Sequence, residues 1–130
     1  MGINYLAAVI AGLAGFAAGA VWYSVLFGKM WAKLMPFDPA SPGGYPAPVA
    51  MGGAAVLSVI AAIVFAIFLG PNPSFGFAVG AGLAAGIGWI GTSIFTNGLF
   101  QRAPVELMLI NTGNHVVQFL VFGIILGLWK

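Results

Sequence analysis

Apolar positions run along this chain in four long blocks, and polar positions interrupt them at only a few places. The blocks extend from about Ile3 to Phe27, Pro48 to Leu69, Phe75 to Asn97 and Pro104 to Trp129. Each is long enough to cross a hydrocarbon core, which takes roughly 20 mostly apolar residues. None alternates with period two, and all exceed a barrel strand, so the pattern predicts helices throughout. Between blocks two and three, "GPNPS" (Gly70 to Ser74) forces a tight turn, because proline cannot donate inside a helix. "GLFQRAP" breaks the chain again, and Pro104 suits the first turn of a new helix. The longest loop, "PFDPASPGGYPAP" (Pro36 to Pro48), is too rich in proline and glycine to be helical. The predicted fold is therefore an all-α integral membrane protein, with four antiparallel transmembrane helices in a single domain over residues 1–130.

A short interfacial extension follows the first span. In "FGKMWAKLM", Lys29 and Lys33 stand one helical turn apart. Trp31 and its apolar neighbours can face lipid while the lysines reach the headgroups.

Composition agrees with the pattern. The chain is 62% hydrophobic and 5% charged, where a soluble domain carries about a quarter charged residues. No charge lies between Asp38 and Arg102. The absence of cysteine removes disulfides, thiolate catalysis and cysteine-based metal sites. A formal charge of +2 is too small to imply a nucleic-acid partner. The amino terminus lacks a basic region and its apolar run is too long for a signal peptide, so it is expected to remain as the first span. Loops 1 and 3 share one side and carry Lys29, Lys33 and Arg102. The positive-inside rule places them in the cytoplasm and both termini on the non-cytoplasmic side.

One block is unlike the others. "LMLINTGNHVVQFLVFG" (Leu107 to Gly123) is apolar enough for the membrane interior, yet carries Asn111, Thr112, Asn114, His115 and Gln118. At 3.6 residues per turn, Asn111, Asn114, His115 and Gln118 fall within about 100° and form one stripe, with His115 about 16 Å beyond Pro104. Unpaired polar groups facing lipid cost several kcal/mol, so the stripe is expected to face inward. Partners are offered by Thr92, Ser93, Thr96 and Asn97 on span 3 and by Trp22, Tyr23 and Ser24 closing span 1. The expected arrangement is one network among spans 1, 3 and 4. Span 2, with Ser58 as its polar side chain, is expected to be lipid-facing scaffold. Gly15/Gly19, Gly76/Gly80, Gly82/Gly86 and Gly123/Gly127 are pairs of small residues spaced for close helix contact. Six glycines between Gly76 and Gly91 predict that span 3 is the central helix.

The stripe admits two readings. In one, amides and hydroxyls tie helices together, at about 0.6 kcal/mol per contact. In the other, they line a polar pocket or path with His115 as proton carrier or ligand. No carboxylate is close to His115 in sequence, and Glu106 belongs at the interface. A single histidine without cysteine or a nearby acid makes no zinc site. A haem- or chlorophyll-type ring on His115 is the remaining cofactor alternative, and no cofactor is predicted. There is no G-x-S-x-G elbow and no acid to orient the imidazole, so no enzyme is predicted. "GAGLAAGIG" lies inside a span, with no preceding strand, and reads as packing glycine rather than a dinucleotide loop.

"WYSVLFGKMW" closing the first span and "TNGLFQRAPVELMLINTGNH" joining the last two give the chain a family likeness. It resembles the small bacterial four-helix membrane proteins of domain-of-unknown-function family 1761, over nearly its whole length. The likeness is most specific at Trp22, Tyr23, Ser24, Phe27, Gly28, Lys29 and Trp31, and at Asn97, Phe100, Arg102, Ile110, Asn111, Gly113 and His115. Asn114 departs from that pattern, in which an aromatic residue often stands there. The resemblance implies a multi-pass protein of the bacterial inner membrane and assigns no activity. From the sequence, the first expectation is a structural or accessory subunit in the lipid bilayer, as a homo-oligomer or in a larger membrane complex. The alternatives are a channel or carrier for a small polar or ionic solute and a pigment- or cofactor-binding subunit.

Overall fold

The computed structural model describes residues 2–35 and 44–129. Four of its helical stretches are long and apolar enough to cross a membrane: Tyr5–Leu26, Ala47–Leu69, Phe75–Gln101 and Val105–Leu128. They are spans 1 to 4 below. The greater part of the loop expected between Pro36 and Pro48, with Asp38, lies outside the described residues, as does Lys130.

The ends of the spans follow local chemistry. The Asn4 side chain accepts from the Ala7 amide at 3.0 Å and caps span 1. Pro48 sits in the first turn of span 2, where its missing N–H costs nothing. Gly70 ends that span at φ 81°, a left-handed conformation that L side chains resist. Ser74 caps span 3 through Phe77. Arg102 ends it in the left-handed region, and Pro104 stands just outside the first turn of span 4.

Two stretches are wound as π-helix, Trp22–Leu26 at the end of span 1 and Gly86–Gly91 in the middle of span 3. The short helix Gly28–Leu34 follows Phe27, with Lys29 and Lys33 exposed. Trp31 is half-buried, its ring 5.6 Å from that of Tyr23 and edge-on to it. The indole expected to face lipid thus has one side against span 1.

Span 4 is the central helix, which corrects the expectation for span 3. It packs along its length on spans 1 and 3, while span 2 packs on span 1 and hardly meets span 3. The glycines of span 3 let span 4 approach. A Cβ at Gly82 would lie 2.4 Å from the Phe119 carbonyl oxygen, and one at Gly86 2.9 Å from Val116 Cα. Further along, Gly91 meets Thr112 and Gly98 meets Met108, so numbering rises on one helix as it falls on the other. Gly123 and Gly127 return the contact toward Ala78 and Phe75. Gly76, Gly80 and Gly88 instead face outward, with nothing within 4 Å of a Cβ built on them.

The core is made of small residues and phenylalanine. Ala7, Ala8 and Ala11 of span 1, Ala62 and Ala66 of span 2 and Ala78 and Ala85 of span 3 belong to one buried cluster. Phe122 is fully buried. Its ring lies 4.9 Å from that of Phe119 and 6.4 Å from that of Phe65, and Phe65 meets Phe119 edge-on at 5.4 Å. This trio closes the centre of the bundle.

Candidate functional site

The π-wound end of span 1 places two aromatic side chains against span 4. Trp22 lays its indole over Gly113, where a Cβ would come within 2.6 Å of the ring, and Nε1 donates to the Ile110 carbonyl at 2.9 Å. The Tyr23 hydroxyl donates to Asn111 Oδ1 at 2.6 Å. Winding by an extra residue per turn displaces side chains relative to an α-helix, and such segments recur at functional sites. Ser24, the third member of that run, is exposed and donates to its own helix at Ala20.

A second set of bonds joins spans 4, 2 and 1 in series. His115 Nδ1 lies 2.8 Å from Gln118 Oε1. Gln118 Nε2 donates to Ser58 Oγ at 3.0 Å, and Ser58 donates to the Gly12 carbonyl at 2.7 Å. Ser58 is buried at 3% exposure, in the span expected to be scaffold. The sequence carries no signal for this, because a helical serine can equally bond back to its own preceding turn.

The partners expected from span 3 are not part of this set. Thr92 Oγ1 donates to the Gly88 and Trp89 carbonyls, Ser93 to Trp89 and Thr96 to Thr92, all within their own helix. All three residues are exposed, as is Asn97. A hydroxyl can satisfy itself on the carbonyl one turn back, so it does not need the bundle interior. The network therefore runs among spans 1, 2 and 4, not 1, 3 and 4. Span 3 adds Ile90 from its π-wound segment to the wall of the site.

Asn114 and His115 complete the stripe differently. Asn114 points its carbonyl oxygen at Gly19, where a Cβ would stand 3.1 Å away, and neither its oxygen nor its nitrogen has a hydrogen-bond partner. His115 Nε2 is also unpaired. Among the described residues, the unpaired side-chain atom that is sealed off is Thr112 Oγ1. The free atoms of Asn114 and His115 are thus not sealed. Both residues line a cleft of about 520 Å³ between spans 1, 2 and 4, with Tyr23, Ser58 and Gln118 adding polar groups. The exposed side chains Met51 and Leu57 of span 2 flank it. A second hollow of about 370 Å³ shares Ala61, Ile90 and Phe119 with the first and continues where spans 2 and 3 part. Its walls are apolar: Val64, Phe65, Phe68, Ala85 and Trp89. Ligand sites are commonly of this size and mostly apolar, with a few polar groups that fix orientation.

Lys29, Lys33 and Arg102 lie outside the cleft, exposed at span ends. No group of three metal-ligating side chains occurs among the described residues. The family described as a protein of unknown function (DUF1761) matches residues 6–127, nearly the whole chain. Neither a curated protein nor a solved structure matches it.

Proposed function

The chain belongs to the DUF1761 family of unknown function, and we propose that it is a multi-pass protein of the bacterial inner membrane that binds a small molecule in the cleft beside His115. It serves as a binding subunit or carrier rather than an enzyme. One observation carries this reading. Asn114 and His115 Nε2 have no partner in the protein, yet face a cleft of about 520 Å³ instead of being sealed in the bundle. An unpaired polar group in an apolar medium is costly, so a group left open calls for something to pair with it. The rest of the stripe is structural: Tyr23 to Asn111, Trp22 to Ile110 and Gln118 to Ser58 hold helices together. Among the described residues the cleft brings no carboxylate or second base to His115, which disfavours catalysis. Phe65, Phe119 and Phe122 close the bundle centre, which disfavours a water-filled channel.

The test uses protein purified in mild detergent from the membranes in which it is made. Ala54 lines the cleft from the exposed side of span 2, so Ala54→Trp fills the space without entering the core. Organic extraction and mass spectrometry should find a small molecule held by the parent and depleted several-fold in the variant. Equal retention by both, or none by either, removes the reading.

A homo-oligomer or a partner subunit is a second reading, with its own observation. Gly76, Gly80, Ala84 and Gly88 recur every fourth residue on the outer face of span 3 and are all exposed. Close backbone approach is a main source of helix association in lipid. Gly80→Leu should shift the protein toward monomer in native mass spectrometry from mild detergent. An unchanged distribution would show that this face does not assemble.

A further inference from the structure

We propose that the cleft selects a lipid-soluble alcohol or phenol, whose hydroxyl donates to His115 Nε2 and accepts from Asn114 while its apolar tail lies between spans 2 and 3. This rests on the cleft being a binding site, and it names the ligand class.

The selection follows from the direction of the hydrogen bonds. Ser58 has one hydroxyl proton, and the Gly12 carbonyl can only accept it. Ser58 Oγ is then an acceptor for Gln118, which turns the amide nitrogen toward span 2. Gln118 Oε1 is left facing His115 Nδ1 at 2.8 Å and can only accept, so Nδ1 carries the proton. Turning the amide round would remove the Ser58 to Gly12 bond and leave one fewer overall. In the neutral imidazole the other nitrogen is therefore a bare lone pair. The relay across three spans fixes Nε2 as an acceptor.

Asn114 brings an amide nitrogen that donates and is unpaired. A hydroxyl both donates and accepts, so it answers both neighbours. An ether, ester or quinone carbonyl only accepts and would leave Nε2 unpaired. A metallated ring would take the Nε2 lone pair but leave Asn114 without a partner. The apolar hollow beyond Ala61 and Ile90, flanked by the exposed rings of Phe68 and Trp89, suits a hydrocarbon tail arriving from the bilayer. Among the described residues no charged side chain lines either hollow, which suits a neutral ligand.

The experiment compares two probes of nearly one shape, 4-octylphenol and its methyl ether 4-octylanisole, on the full chain in lipid nanodiscs. Binding is measured by calorimetry. The phenol should bind roughly tenfold tighter or more, the factor expected when a buried acceptor goes unpaired. His115→Leu should abolish the preference. Equal binding of the two by the parent overturns the hydroxyl class and leaves the cleft reading standing. Binding of neither also overturns the hydroxyl class, while the cleft reading is decided separately by extraction from the parent and Ala54→Trp. A second measurement is independent of any variant. The chain has one histidine, so nitrogen-15 histidine labelling reports this ring alone. Without ligand, Nδ1 should resonate as protonated and Nε2 as unprotonated. The phenol should move the Nε2 resonance and the ether should leave it. A protonated Nε2 beside a bare Nδ1 would overturn the proposal.

Discussion

Ser58 carries one proton and two lone pairs, and the fold uses both kinds. The proton goes to Gly12 on span 1, and a lone pair receives Gln118 from span 4. Replacing it with alanine removes the hydroxyl and leaves the Gln118 amide nitrogen unpaired in an apolar interior. Ser58→Ala should therefore cost about 1–3 kcal/mol, the range for a buried group left without its partner. Thermal unfolding in detergent should show a lowered midpoint, and an unchanged midpoint would mean the relay does not support the fold. At this scale the sequence was half legible. The stripe Asn111, Asn114, His115 and Gln118 was readable from spacing, because helical period fixes which side chains share a face. Its partners were not, because depth along a span says nothing of how a neighbouring helix is rotated. The error at Thr92 and Thr96 has a physical source: a hydroxyl bonds back to its own helix, whereas Asn111 accepts from Tyr23 of span 1 and Gln118 donates to Ser58 of span 2.

Helix pairing in this bundle is decided by which glycines are covered. Gly82 and Gly80 lie on one helix two residues apart, and only the first meets another backbone. A methyl group at Gly82 would press on the Phe119 carbonyl, which is part of a helix and cannot yield cheaply. Gly82→Ala should destabilise by about 1–3 kcal/mol, the usual cost of overpacking. Within one chain Gly80→Ala meets open space and exchanges glycine for a better helix former, so in monomeric protein it should be neutral or slightly stabilising. Unfolding midpoints of the two variants in one detergent check the contrast, and equal losses would refute the pairing of spans 3 and 4. The four spans were legible because apolar length is a strong signal. The centre was not, because glycine marks the helix that is approached, and here the approaching helix is span 4. Nor did any pattern announce the π-wound segments, which coincide with close approaches to span 4: Trp22 over Gly113 at one, and Gly86 and Gly91 against span 4 at the other.

Orientation in the membrane belongs to the whole molecule, and it decides from which side the polar end of the cleft is approached. Trp22 and Gly98 both meet the first turns of span 4, at Ile110 and Met108, so the ends of spans 1 and 3 lie together there. Lys29, Lys33 and Arg102 follow those span ends in sequence. Basic loops are retained in the cytoplasm, which would put this end inside and the turn around Asn72 outside. Tyr23 and Met51 belong to the same end, so the cleft would open toward the cytoplasmic leaflet. The chain has no cysteine, so a single one can be placed at will. Tyr45 is 85% exposed, and Asn72 is exposed in the turn after span 2. Treated with a membrane-impermeant thiol reagent, intact cells should label Asn72→Cys and spare Tyr45→Cys until they are permeabilised. The opposite pattern would invert the protein and turn the cleft toward the outer leaflet. Labelling of both in intact cells would mean that three basic side chains do not fix one direction, and that the protein inserts both ways.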